Sequence, residues 1–247
     1  MTDLPILFIR TILLRPYVFV FLAAFLYASS LLLGWRRTMW FFLISWITAF
    51  ICEFSSTRIG IPFGDYYYTG STVGQELYLS NVPFMDSLSF TFLLYASYCL
   101  ALLFALPIAR PGTPPDFRFD LQERTSLRVL LLTALLYAFI DVVIDPVALR
   151  GDRWFLGQIY GYPDPGVYFG VPIANFVGWA VVGLIGLSGY FIVDRRTTEP
   201  LPTRIGTTRA ILLGCGLYYG VLLFNLAVTF WIGERLLGLV GVMIFLP

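Results

Sequence analysis

A chain of 247 residues that is 58% hydrophobic, 18% aromatic and only 13% charged, with a mean hydropathy of +0.80, is too apolar for an ordinary soluble domain. Its 16 basic residues, all arginine, nearly balance 15 acids, so a net charge of +1 offers no attraction for nucleic acid. The absence of histidine removes the commonest general base, most catalytic zinc sites and histidine-ligated haem.

In chain order, MTDLPILFIRTILLRP carries arginines after a short apolar run and no small-residue cleavage site, and reads as an interfacial lead-in rather than a signal peptide. Six apolar runs follow that are long enough to cross a bilayer as helices: Tyr17–Gly34, Thr38–Cys52, Pro83–Leu106, Leu127–Ile144, Val171–Val193 and Arg209–Ile232. The second is short and is expected to continue a turn past Glu53. The closing run LLGLVGVMIFLP is too short to span and reads as a half-helix, a surface segment or the start of a seventh span. The expected architecture is all-α: one polytopic membrane bundle of six to seven helices covering 1–247, multi-pass in the cell membrane. Cys52, Cys99 and Cys215 lie in separate runs and read as small core residues, not a disulfide framework or a metal cluster. No metal or cofactor is expected.

One set of loops carries Arg36, Arg37, Arg110, Arg118, Arg124, Arg128, Arg195, Arg196, Arg204 and Arg209. The other carries Arg10, Arg15, Arg58, Arg150, Arg153 and Arg235. By the positive-inside rule the second set faces outward. Two loops of that set resemble each other. The first runs from Glu53 through PFGDYYYTG to Val82-Pro83; the second runs from Asp141 and Asp145 through Trp154 and GQIYGYPDPGVYFG to Val171-Pro172. Each places an acid at a helix end, an aromatic loop punctuated by glycine or proline, and a Val-Pro opening the next span. Paired units about a pseudo-twofold axis would bring the two acidic ends together; coincidence in a biased composition is the alternative.

Tyr137, Asp141 and Asp145 are four apart and share a helical stripe. Asp145 precedes Pro146, whose ring disfavours a helical residue before it, so the helix is expected to end there, with Asp141 about 6 Å deeper. A carboxylate at that depth is costly and is usually interior, paired and functional. Protonation also lowers the cost, and leaves an acid able to donate. Glu53 sits at the matching end of the second span, where it reads as functional because a second acid lies opposite it in the repeat, or as a structural ion pair with Arg58 or an arginine of the other loop. Asp65 and Asp86 are weaker candidates, Asp65 needing no more than turn chemistry. Phe63, Tyr66, Tyr67, Tyr68, Tyr78, Trp154, Tyr160, Tyr162, Tyr168, Phe169, Phe176 and Trp179 read either as an interfacial belt or as aromatic walls suited to a polyene or a carbocation. Asn175, inside the start of the fifth span, needs a hydrogen-bond partner. No GxGxxG after a strand, Walker loop or GxSxG elbow is present.

The stretches E53…G60-x-PFG-x-Y66-x-Y68-T69…VP83 and D141-x-x-x-D145-P146…W154…Y168-x-GVP172-x-x-N175-F-x-G-W179 resemble the carotenoid biosynthesis protein family, whose characterised members are CruF-type carotenoid 1,2-hydratases. The resemblance covers about Glu53 to Trp179. After the first Val-Pro, family members tend to carry a tryptophan, whereas this chain reads PFMDSLSF. The resemblance implies addition of water to the terminal double bond of an acyclic, lycopene-like carotenoid dissolved in the bilayer, with no redox cofactor or metal. It further implies Asp141 or Glu53 as proton donor and Asp145 as the group that orients the water or takes its proton. Phe63, Tyr66, Tyr68, Trp154, Tyr168, Asn175 and Trp179 are then substrate-binding. The competing readings are an intramembrane prenyltransferase using DVVID as a Mg²⁺-diphosphate motif, a cyclase of similar cation chemistry, and a transporter using the acids as a relay.

Overall fold

The computed structural model describes residues 3–105, 121–202 and 204–245, without the side chains of 204–208. Arg110, Arg118 and Leu106, named above, lie outside the described residues, as does the side chain of Arg204. Among the described residues nine helices form: α1 Leu4–Leu14, α2 Pro16–Leu33, α3 Trp35–Ile59, α4 Phe84–Ala105, α5 Leu121–Arg124, α6 Leu127–Ala148, α7 Ile173–Arg196, α8 Arg204–Trp231 and α9 Arg235–Phe245. Among the described residues six of these segments are long and apolar enough to cross a membrane. The protein is a helical membrane bundle, and the helices α1 and α9 are too short to span. On α1, Leu4, Ile9 and Leu13 face outward, as a surface-lying lead-in requires.

The core is built around α4. Its apolar window is 78% buried, against 33–56% for the other five spans, so it is the central helix, packed by α2, α3, α6 and α8. Helix α3 runs to Ile59, past Glu53, and stops at Gly60, whose left-handed φ of 70° closes the last turn. A Cβ on Gly60 would also stand 2.5 Å from Asp65 Oδ1, which places Asp65 in that turn. Phe41, Ser45, Ala49, Cys52, Glu53 and Ser56 recur at helical spacing on the buried face, and this spacing turns Glu53 inward.

Helix α6 does not end at Asp145. It continues through Pro146 to Ala148, and the Leu149 N–H closes on Asp145 O at 2.9 Å. A proline in a final turn removes one hydrogen bond from a helix that is ending anyway. The loops 60–83 and 149–172 fold over one end of the bundle and pair with each other. Strand β1 (Tyr67–Tyr68) runs antiparallel to β4 (Tyr160–Gly161), while β2 (Tyr78–Leu79) pairs with β3 (Val82–Pro83). Arg15 anchors this lid, bonded to Glu76 at 2.9 Å and to Leu156 O at 2.5 Å with both charged side chains fully buried.

At the opposite end, Asp194 of α7 lies between Arg37 of α3 (2.7 Å) and Arg124 of α5 (2.9 Å) and is itself 0% exposed. Removing the shared anion leaves two buried guanidinium groups uncompensated, a loss of about 3–5 kcal/mol. Asp194→Ala is therefore expected to lower the unfolding midpoint of the detergent-purified protein steeply. An unchanged midpoint would show that the triad does not hold this end together.

Candidate active site

Beneath the lid, α3, α4, α6 and α7 line a chamber whose wall carries four carboxyl groups: Glu53, Asp86, Asp141 and Asp145. They form two clusters. In the first, the Tyr68 hydroxyl lies 2.8 Å from Glu53 Oε1 and 2.8 Å from Asp86 Oδ2. A phenol has one proton and an ionised carboxylate has none, so two such hydrogen bonds require a second proton, carried by Glu53 or Asp86. The first cluster is thus a pair of acids sharing a proton across a tyrosine. Tyr66 extends it, donating to Tyr68 Oη at 3.4 Å.

In the second cluster Asp145 accepts from Tyr160, from Tyr162 at 2.7 Å and from Asn175 Nδ2 at 3.1 Å. Three donors converging on one carboxyl group favour its ionised form, which only accepts. The same Asn175 amide donates to Asp141 Oδ2 at 2.7 Å, while Asp141 Oδ1 is buried and makes no hydrogen bond to protein. That oxygen needs a partner from within the chamber.

Aromatic faces close the remaining wall. Trp179 stacks on Phe90 with ring centroids 4.3 Å apart and planes 11° apart, and Tyr137 meets Trp179 edge-on at 4.8 Å. Phe63 packs against Phe90 and Trp179. Gly178 permits this approach: a Cβ there would lie 2.7 Å from Phe63 Cα.

Burial, reinforced by the carboxyl groups of Asp86 and Glu53 at Tyr68 and of Asp145 at Tyr160 and Tyr162, pushes the pKa of these three loop tyrosines above the ordinary value. In the unfolded chain they ionise near pH ~10, so above that pH the unfolded state holds fewer protons and stability falls as pH rises. The expected result is that these tyrosinates appear only with cooperative alkaline unfolding, followed by ultraviolet absorbance. Their titration within a folded protein near pH ~10 would contradict a closed chamber.

Of the residues singled out from sequence, Glu53, Asp141, Asp145, Phe63, Tyr66, Tyr68, Asn175 and Trp179 all line this chamber. Trp154 does not; it donates from Nε1 to Val147 O and lines a neighbouring cavity. Tyr168 lies outside both, against Phe169 and Phe176, because the tight turn in which Tyr168 N–H and Val171 N–H bond each other's carbonyls turns it away. Arg58 makes no ion pair with Glu53. It bonds Phe54 O and Asn81 instead and covers the Phe54 ring.

The chain matches the carotenoid biosynthesis protein family over residues 13–246, which include every residue of the chamber. It belongs to that family. Over 135 residues it is 30% identical to a bisanhydrobacterioruberin hydratase of Haloarcula japonica, a stretch covering 55% of this chain and 38% of that protein. No solved structure matches the chain.

For this carotenoid biosynthesis family member, Asp86 is the residue whose importance the sequence understated. A signal was present: Asp86 follows Val82-Pro83 at the same spacing as Asn175 follows Val171-Pro172, and Phe90 and Trp179 follow each by one further turn. The doubled pattern thus places a polar side chain and an aromatic ring from α4 opposite their counterparts from α7. Tyr160 and Tyr162, named only among the loop aromatics, are the other site residues missed.

Proposed function

We propose that this chain is a hydratase of the cell membrane that adds water to the terminal trisubstituted double bond of an acyclic, lycopene-like carotenoid. The observation that carries this reading is the Tyr68 hydroxyl set 2.8 Å from both Glu53 and Asp86, across one aromatic-walled chamber from an Asp145 that meets three donors. Protonating an unactivated alkene needs an acid kept out of bulk water, and a tertiary cation needs anionic or π-face stabilisation until water arrives.

The Glu53–Asp86 pair delivers its proton to the less substituted alkene carbon, leaving the cation on the carbon that bears two methyl groups. The faces of Trp179 and Phe90 and the charge of Asp145 stabilise that cation. Water held at Asp141 Oδ1 forms the carbon–oxygen bond, and its surplus proton passes to Asp145 or Asp141. Return of one proton to the Glu53–Asp86 pair completes the cycle, with one water added and no electrons transferred. The relative named a hydratase supports the same class of reaction.

The test is to express the chain in a bacterium that accumulates lycopene and to identify the pigments by chromatography and mass spectrometry. A more polar pigment heavier by one or two waters is expected, and it should be lost in Asp141→Asn. Unchanged pigment across a panel of acyclic carotenoids, with folded protein in the membrane, would refute the reading.

A further inference from the structure

A second cavity adjoins the chamber and is lined from α2, α4, α6, α8 and the lid. Asp86, Ser89, Leu93, Ile144, Ala148 and Tyr160 line both spaces, so the two meet along a common wall at the carboxyl end of the site. The character of the wall changes across that boundary. The chamber holds four carboxyl groups; in the second cavity Asp86, on the common wall, is the one charged side chain among the lining residues. Away from it the lining is aromatic and aliphatic apart from Asn225, whose amide nitrogen donates to Val221 O within α8; Tyr17 stacks on Phe224 (5.3 Å, 19°), and Phe21 and Trp154 pack against the same Phe224 ring.

These rings stand where α2 meets α8, and Tyr17, Phe21 and Phe224 are only half-buried. On the same two helices, Val20 and Leu223 are each 64% exposed on the membrane-facing surface. The cavity therefore lies between the lipid-facing side of the bundle and the acids. A chamber walled by carboxyl and hydroxyl groups suits a small end group, but a long apolar chain attached to it would leave those groups buried against hydrocarbon. The adjoining cavity supplies the matching apolar surface.

We infer that this cavity is the subsite for the polyene chain of the substrate, and that the substrate enters end-first from the lipid between α2 and α8 until its terminal double bond reaches the acids. The identity of the chain as a polyene rests on the hydratase reading; the lateral apolar subsite rests on the cavity itself. Val221 of α8 is buried and lines this cavity but not the chamber.

The experiment compares wild type with Val221→Phe, which fills the cavity, on lycopene in detergent micelles and on 6-methylhept-5-en-2-one, a short ketone with the same dimethyl-substituted alkene end. The ratio of the two kcat/KM values, lycopene over ketone, is expected to fall about tenfold or more in Val221→Phe. An unchanged ratio overturns the subsite, whether both activities drop or neither does. Retention of lycopene's visible absorption by the purified protein through gel filtration is measured in parallel, because it needs no turnover. If the wild type binds lycopene without hydrating it and Val221→Phe loses the pigment, the subsite stands and the hydratase reading falls. Equal retention by both proteins overturns the subsite. If Val221→Phe does not fold, Val221→Met takes its place with a smaller expected fall in the same measurements.

Discussion

Glu53→Gln is expected to reduce turnover by about 10²–10⁴-fold with little change in KM, because it removes a proton donor and keeps the shape and burial of the side chain. Asp86→Asn is expected to do nearly the same, since either acid alone loses the partner with which it shares a proton through Tyr68. The double variant should be no slower than the slower single variant, the non-additivity of two groups that act as one. Tyr68→Phe, which keeps the ring and removes the bridge, should fall between wild type and the single acid variants. Additive losses in the double variant would mean that Glu53 and Asp86 work separately, and the shared-proton arrangement would then be wrong.

The second large effect concerns the opposite wall. Asp145→Asn is expected to lower hydration by about 10²–10⁴-fold as well, but at a later step. With Glu53 and Asp86 intact, the alkene still accepts a proton. The cation then lacks its facing carboxylate and the acceptor for the proton of water, and it returns to alkene by losing a proton from the carbon that gained one. In D2O this variant should therefore carry deuterium into the vinylic position of unhydrated substrate, whereas Glu53→Gln should neither hydrate nor exchange. Exchange by Glu53→Gln together with none by Asp145→Asn would reverse the two roles.

Much of this arrangement was legible in the chain because it rests on period and punctuation. Among the described residues the six apolar runs form six helices long and apolar enough to span, and the stripe Tyr137, Asp141, Asp145 faces inward as its spacing requires. What was not legible depends on contacts between distant segments. Asp86 reads as an ordinary first-turn acid of α4, and only the fold of the 60–83 loop carries Tyr68 to it. The lid geometry decides between Tyr160, which reaches Asp145, and Tyr168, which the 166–171 turn holds away. Pro146 marked a helix end by local rule, yet the last turn of α6 tolerates it. The structural alternative of a Glu53–Arg58 pair does not form, because Glu53 lies on the buried stripe of α3 and Arg58 points outward to Asn81.

The most direct test is to incubate the purified protein with lycopene in H2¹⁸O and to analyse the pigment by mass spectrometry. A tertiary alcohol carrying one ¹⁸O per modified end is expected, formed without any added reductant or oxidant and absent with Glu53→Gln. Lycopene recovered without label from a folded, pigment-bound protein would contradict the assignment of the four-carboxyl chamber as a hydration site.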